Sequence, residues 1–420
     1  MTEIVPLEHA RDATLFGSKA VGLADALRAG LPVPPGVALS GAVVEAVATG
    51  DEAVIAAVQT AVSALRAPLA VRSSAADEDG AEASFAGQHL TLLNVPSVNE
   101  LAPALREIWW SANSDSAISY RQRVGLLTRP SIGVVVQSLL DPDVAGVMFT
   151  TNPVTGADER MVEASWGLGE AVVAALVIPD HFRLSRGGAV LERMAGRKQL
   201  AIRATPSGGT VEEAVPAALV ESLCLDDARL AELGRLAASC EAVYGPGRDI
   251  EWAIDADRLY LLQCRAITTS GATSAARTPA AARAHAEALK PVPFFAQLDD
   301  DERAKVAHLF KQRRFPAGET VVREGTGGAA FFLIEAGEAT VTVGGIQRAT
   351  LGAGDYFGEI ALIDEGPRSA TVTATSDLVC QGITLWDFRP LVESNGAIGW
   401  KLLQSMVKRL RDAERDRAPG

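Results

Sequence analysis

The chain has 420 residues, of which 48% are hydrophobic and 22% charged, with a formal net charge of -13. That length and composition set an expectation of about two to three domains with full cores. The acidic balance excludes a general nucleic-acid or anionic-membrane binder, while leaving room for a local basic pocket that takes phosphate.

The first residues lack a basic-then-apolar leader pattern, and no apolar run reaches about 18 residues, so no membrane partner is expected. The four cysteines, Cys224, Cys240, Cys264 and Cys380, are scattered without a CxxC pair. They are expected to be reduced core thiols of a cytoplasmic protein.

In chain order, "GSKAVGLADALRAG" spaces its apolar residues as a helix and stops at Gly30. "APLAVRSSA" is a short apolar strand running into a loop of small residues. "IGVVVQSLL" and "AGVMFTTNP" are β-branched strands separated by Asp-Pro turn chemistry. "DIEWAIDADRLYLLQCR" is a hairpin with Asp255, Ala256 and Asp257 as a three-residue tip. The stretch 268–292 is rich in Ala, Thr, Ser and Pro and lacks large apolar residues until Leu289, as a linker does. It divides the chain into 1–267 and 293–415. The second part opens with a helix, "DDERAKVAHLF". Short strands with Gly-containing turns follow, as in a small antiparallel roll or barrel, and an amphipathic helix closes it from about residue 397.

Phosphoryl transfer from ATP needs cations for the phosphates, oxygen ligands for Mg²⁺ and an apolar slot for adenine. Lys19 lies between Gly17 and Gly22 at a helix start, where small neighbours let a phosphate approach. Arg72 ends an apolar strand before Ser73 and Ser74, whose hydroxyls and amides can cradle anions. With the three-residue tip, position 251 faces 261, and Glu251, Gln263 and Arg265 share one face. A carboxylate, an amide oxygen and a guanidinium there suit a Mg²⁺–phosphate site, although each alone is commonly a solvated strand side chain. Neither the P-loop nor the dinucleotide fingerprint is present.

The ordered segments "GSKAVGLADALRAGLPVPPGVALS", "LAVRSSAADEDGAEASFAGQHLTLLNV", "VVVQSLLDPDVAGVMFTTNPVTG", "EASWGLGEAVV" and "DIEWAIDADRLYLLQCRAIT" resemble an ATP-grasp nucleotide-binding domain. It is the domain that phosphoenolpyruvate synthase, pyruvate phosphate dikinase and rifampicin phosphotransferase share. The resemblance covers residues 12–267. It implies that Lys19 and Arg72 hold phosphates, that Glu251 and Gln263 ligate Mg²⁺, that Arg265 meets the γ-phosphate, and that the strand end from Gln137 borders adenine, with Ser73 beside the phosphates. Lys19, Arg72 and Arg265 would then be the catalytic cations. In such enzymes the ATP domain phosphorylates a histidine on a swivelling carrier domain. The five histidines here (His9, His89, His181, His285 and His308) lack the carrier context, and a pyruvate-binding barrel is absent from the sequence. A partner protein carrying the phosphorylatable histidine is therefore expected.

The stretch 357–374, "FGEIALIDEGPRSATVTA", gathers what a cyclic nucleotide asks for. Gly358 lets the backbone come close, Glu359 can accept from the ribose 2′-OH, Ile360 and Ala361 lie in a turn that can aim amides, Arg368 can pair with the phosphate and Ser369 adds a hydroxyl. An ordinary strand–turn–strand with a surface Glu and Arg would read similarly. The stretch resembles the phosphate-binding cassette of cyclic nucleotide-binding domains, as in the catabolite activator protein and the regulatory subunit of cyclic AMP-dependent protein kinase. "FPAGETVVREG", "FFLIEAGEATV" and "LGAGDYFGE" agree with that β-roll, over residues 294–413. Ser369 stands where cyclic GMP binders usually carry Thr, which favours cyclic AMP.

The fold class expected is α+β and multidomain, an ATP-grasp part followed by a β-roll (jelly-roll) domain with flanking helices. The function expected is an ATP-dependent phosphotransferase component regulated by cyclic AMP, with Mg²⁺, ATP and cyclic AMP as ligands. The alternative is a non-catalytic sensor of ATP and cyclic AMP that regulates a partner.

Overall fold

A computed structural model describes residues 3–76, 90–113, 131–153, 155–174, 176–267, 287, 289–307, 309–326, 330–362, 366–404 and 407. It divides into two units, the first holding Met1–Asn152 and Asp158–Ile267, the second Pro153–Ala157 and Thr268–Gly420. The linker is almost wholly outside the described residues, as are the "SFAGQ" element, His89, His285 and His308.

Two antiparallel sheets build the first unit. One holds β1 (Ile4–Pro6), β2 (Gly36–Leu39), β3 (Leu69–Ala75), β4 (Thr91–Val95) and β5 (Ile132–Ser138), in the order β1-β2-β5-β3-β4. The other holds β6 (Val144–Phe149), β7 (Glu159–Trp166), β8 (Asp180–Ser185) and β9 (Val190–Met194). A separate ribbon pairs β10 (Leu200–Ala204) with β11 (Thr210–Ala214). The hairpin β12 (Arg248–Asp255) and β13 (Arg258–Ala266) completes the second sheet, in the order β13-β12-β6-β7-β8-β9.

Period-two alternation decides what each face of the first sheet meets. Val71, Val134 and Val136 join a core with residues of helices α3 (Gly41–Ala48), α4 (Glu52–Val62) and α5 (Leu101–Ala112). On the opposite face Ala38 and Val135 join a second core, with Leu23 of helix α2 (Ser18–Arg28) and Trp252 of β12. Leu230, Leu233 and Leu236 of the long helix Asp227–Tyr244 belong to that core too. A fully buried pair, Asp180 with Lys198, sits in this unit. The Asp180 carboxylate also accepts from Gly196 N at 2.7 Å and Cys224 N at 2.7 Å, so neither charge of this pair goes unmatched.

Helix α2 matches its sequence pattern end to end. Its C-terminus closes with Leu31 N donating to Ala26 O at 2.9 Å and Gly30 in the left-handed region at φ 79°, the arrangement glycine makes inexpensive. Its N-terminus is set by the end of β3. Ala20 N donates to Ser74 Oγ at 3.0 Å, so a side chain distant in sequence caps the helix. Ser18 Oγ donates to Ala76 O at 2.9 Å.

The hairpin tip corrects one expectation. The turn has two residues, Ala256 and Asp257, with φ 47° and 63°, and Asp255 pairs with Arg258. Two consecutive positive φ values make a turn whose twist suits the flanking strands, where a three-residue tip was expected. Arg229 holds the strained turn, donating to Asp257 Oδ1 at 2.6 Å and to Asp257 O at 3.0 Å. A bulge at Leu262 then shifts the register, so Glu251 faces Gln263 where 261 was expected, and Asp249 faces Arg265.

The second unit has two four-stranded antiparallel sheets. One joins β14 (Lys311–Phe315), β16 (Ala330–Ala336), β19 (Tyr356–Phe357) and β21 (Leu378–Thr384), in the order β14-β21-β16-β19. The other joins β15 (Thr320–Val322), β17 (Ala339–Val343), β18 (Ile346–Leu351) and β20 (Thr371–Ala374), in the order β15-β20-β17-β18. Helix Asp300–Ala307 precedes them. Helix Leu385–Ser394 follows, an element the strand-by-strand reading missed. The expected closing helix is described over 396–404. Phe294, Phe295, Phe331 and Phe388 form an aromatic cluster with rings 5.0–6.1 Å apart, packed with Ile398 and Leu402. Among the described residues no helix is long and apolar enough to cross a membrane.

The approach of α2 to β3 leaves no room at Gly17. Its φ is 81°, and a Cβ would stand 2.0 Å from Ser74 O. Gly17→Ala is expected to lower stability by about 2 kcal/mol or more, measured by urea unfolding, because strain and clash add.

Candidate functional site

Arg72 is the central residue of β3, which runs on through Ser73 and Ser74 where the strand was expected to end, and it lies on the face that Ala70 and Ser74 share. Its side chain is 11% exposed. Nη1 donates to Leu262 O at 2.6 Å, and Nη2 donates to both Glu251 Oε2 and Gln263 Oε1 at 3.1 Å. One planar guanidinium thus ties the first sheet to the second. Glu251 and Gln263 can both reach it because the bulge sets them directly opposite each other.

Lys19 is buried on α2, and its Nζ donates to Ser73 O at 2.9 Å, which brings its charge to the strand that carries Arg72. Lys19, Arg72, Glu251 and Gln263 are therefore linked through β3. Arg265 shares the face of Gln263 two residues further along β13, as expected, and is held there by Asp249. Its Nε donates to Asp249 Oδ2 at 2.8 Å and its Nη2 lies 2.8 Å from the same oxygen. Ser73 is turned to the opposite face of β3 from Arg72, where its hydroxyl is buried without a hydrogen-bond partner among the described residues. Gln137 is buried, pairs with Ala70 across the strands, and donates its Nε2 to Pro34 O at 2.9 Å. Asp249 was missed in the sequence, and the Ser74 hydroxyl, expected to cradle anions, is a helix cap in the structure. Asp249 lies two residues before Glu251, and period-two alternation could have placed it on the same face. Ser74 as a cap for α2 had no local signal.

On the opposite side of β13, Cys264 packs with Cys240 of the long helix. The neighbouring Cys240 thiol and burial push the Cys264 thiol far above its usual range. The cysteines are free thiols, as expected.

In the second unit, Gly358 follows β19 with φ 81°, and a one-turn 3₁₀ helix, Glu359–Leu362, comes next. Arg368 is 8% exposed and precedes β20. Its backbone is pinned on both sides: Arg368 N donates to Thr326 O at 2.7 Å, and Gly325 N donates to Arg368 O at 2.9 Å. Its Nη2 donates to Ala330 O at 2.8 Å, while its Nε is buried without a hydrogen-bond partner among the described residues. Burial pulls its pKa down to about 10, partly offset by the Glu359 carboxylate. A guanidinium so desolvated has donor capacity to spare, which suits an anion. Glu359 is half-buried, Ile360 is 56% exposed and Ser369 is exposed; the backbone of Ala361 lies in the 3₁₀ turn.

An antiparallel two-sheet unit with a lysine and an arginine brought to one strand, followed by a β-roll with a buried arginine, fits a nucleotide-binding protein of two modules. Residues 43–286 match the family model described as pyruvate phosphate dikinase, AMP/ATP-binding domain, and residues 312–395 match that of the cyclic nucleotide-binding domain. The chain belongs to the pyruvate phosphate dikinase AMP/ATP-binding family and carries a cyclic nucleotide-binding domain after it. The first match includes Arg72, Gln137, Glu251, Gln263 and Arg265, and begins downstream of Lys19.

Among similar proteins, one named "Probable phosphoenolpyruvate synthase" from Methanothermobacter thermautotrophicus is 41% identical over 205 residues, 48% of this chain and 30% of that protein. Rifampicin phosphotransferase from Streptomyces sp is 41% identical over 207 residues, 49% of this chain and 24% of that protein. The chain thus spans a third or less of the length of these relatives. Of solved structures, the catabolite activator protein of Thermus thermophilus is 30% identical, with 30% of this chain and 61% of that chain covered at a TM-score of 0.26.

Gly358 sits under Arg368: a Cβ there would stand 2.6 Å from Ala330 O and 2.7 Å from Arg368 Nη1. Gly358→Ala is expected to cost about 1–3 kcal/mol, read as a lower unfolding midpoint of the second unit.

Proposed function

We propose that the first unit binds Mg-ATP and transfers a phosphoryl group to a histidine on a partner protein, and that cyclic AMP bound by the second unit regulates it. The observation that carries the first half is the convergence of Arg72, Glu251 and Gln263, with Lys19 of α2 bonded to the same strand through the Ser73 carbonyl. In this reading Lys19 and Arg72 hold phosphates, and Arg265, steadied by Asp249, meets the terminal one. Ser73 contributes through its backbone, since its hydroxyl is on the other face. Gln137 shapes the wall beside adenine while its amide is engaged by Pro34.

Glu251 Oε2 and Gln263 Oε1 suit a shared Mg²⁺, because the two oxygens already point at one atom. Among the described residues there is no group of three or more His, Cys, Asp or Glu that could hold a metal. Mg²⁺ commonly takes one or two protein oxygens and draws the rest from phosphates and water, so the ion would arrive with the nucleotide. When bound it supplies charge neutralisation at the phosphates. The protein's own part is to align the phosphates and exclude water.

The relatives named as a phosphoenolpyruvate synthase and a phosphotransferase support phosphoryl transfer. Of the described histidines, His9 is exposed beside Glu8 and His181 is buried on β8. A partner's histidine is therefore the acceptor we assign. In the second unit Arg368 takes the phosphate of the cyclic nucleotide, Glu359 the ribose 2′-OH, and Gly358 with the 360–361 turn brings backbone amides near. Ser369 at the cassette's edge is the basis for choosing cyclic AMP.

Glu251→Ala is expected to weaken Mg-dependent ATP binding by about 2 kcal/mol or more in calorimetry, because metal charge loses its carboxylate. Equal binding by the two proteins would overturn the metal assignment. Arg368→Ala is expected to cost about 2–4 kcal/mol in cyclic AMP affinity, with cyclic GMP the weaker ligand of the intact protein. Phosphoryl transfer is checked with γ- and β-labelled ATP and carrier-histidine partners, with and without cyclic AMP. Label should reach histidine and its rate should change with cyclic AMP; binding without transfer would leave a sensor in place of an enzyme.

A further inference from the structure

Arg72 Nη2 is equidistant, at 3.1 Å, from Glu251 Oε2 and Gln263 Oε1. It therefore stands where those two oxygens converge. A Mg²⁺ held by both oxygens would need the place between them that the guanidinium now takes. Two cations cannot share that space: like charges a few ångströms apart in a partly buried site repel strongly, and a divalent ion doubles the repulsion.

We infer that Arg72 is a built-in placeholder for the metal, so that guanidinium and cation exclude each other at the Glu251–Gln263 pair. This deepens the proposed function and rests on its reading of these two residues as metal ligands. The arrangement keeps the Glu251 carboxylate, 26% exposed, matched by a counter-charge. It also selects for the metal–nucleotide complex over the free metal. A free cation must evict the guanidinium without bringing an anion for it in exchange. Mg-ATP brings phosphate oxygens onto which the same guanidinium can turn, exchanging one set of charge-assisted hydrogen bonds for another. The Nη1 bond to Leu262 O, at the bulge, is to a neutral carbonyl and stays compatible with either state.

The test is binding of Mn²⁺ alone, without nucleotide, to the full chain, followed by the electron paramagnetic resonance of free Mn²⁺. Arg72→Ala and Arg72→Met are both used; the second keeps the apolar stem, and circular dichroism checks folding. Each is expected to bind Mn²⁺ roughly tenfold or more tightly than the unchanged protein, since removing a competing cation removes its repulsion. The gain should vanish when Glu251→Gln is added to Arg72→Ala. Folded single variants that bind Mn²⁺ no tighter than the unchanged protein overturn the exclusion, as does a gain that survives Glu251→Gln. A parallel Mg-ATP titration of Glu251→Ala separates the two readings. If that variant loses affinity while the Arg72 variants gain none, only the placeholder role falls. If it binds Mg-ATP unchanged, the metal reading falls and the placeholder with it.

Discussion

The hydrogen bonds from Arg72 to Leu262, Glu251 and Gln263 are the constraint around which the first unit is arranged. They join residues separated by 179–191 positions in the chain, so they exist only when both sheets are complete. A lysine could not replace the arginine, because an ammonium on a flexible stem has no planar fork to reach a carbonyl and two further oxygens together. Other features serve this one. The bulge at Leu262 brings Glu251 and Gln263 into opposition, and the Ser74 cap fixes α2 where Lys19 reaches the Ser73 carbonyl. The close approach at Gly17 lets that helix begin against the strand.

The second unit uses a guanidinium under different conditions. Arg72 meets a carboxylate and an amide oxygen, and its charge is matched inside the protein. Arg368 is about as buried, yet its hydrogen bond among the described residues goes to a neutral carbonyl, and Glu359 offsets its desolvation only in part. A matched cation has its charge neutralised within the fold, while an undermatched one keeps donor capacity that suits an anion. Both sit in a chain whose overall charge is -13, so affinity for phosphate here is local and owes nothing to the general field of the molecule.

Much was legible without coordinates. Helical spacing with a glycine stop located α2, β-branched runs located β5 and β6, and turn-separated short strands announced the β-roll. These are readable because periodicity and turn chemistry are properties of neighbouring residues. The ordered motifs likewise pointed to the families whose models match residues 43–286 and 312–395. Helix Leu385–Ser394 escaped because it directly continues a strand without an intervening turn signal.

What the sequence by itself determined is therefore the identity of the chemistry: which cations, which carboxylate and amide, and which glycines are available, and on which local elements. Only the tertiary structure decided how they meet. The turn of two residues and the bulge set Glu251 against Gln263 by a route that a uniform register does not contain. Strand direction turned the Ser73 hydroxyl away from Arg72 and left its carbonyl to Lys19. Asp249 became the partner of Arg265, and Arg72 took the place between two metal-suited oxygens. Each of these depends on the packing of segments far apart in the chain, and a one-residue change of register reverses the faces on which their side chains lie.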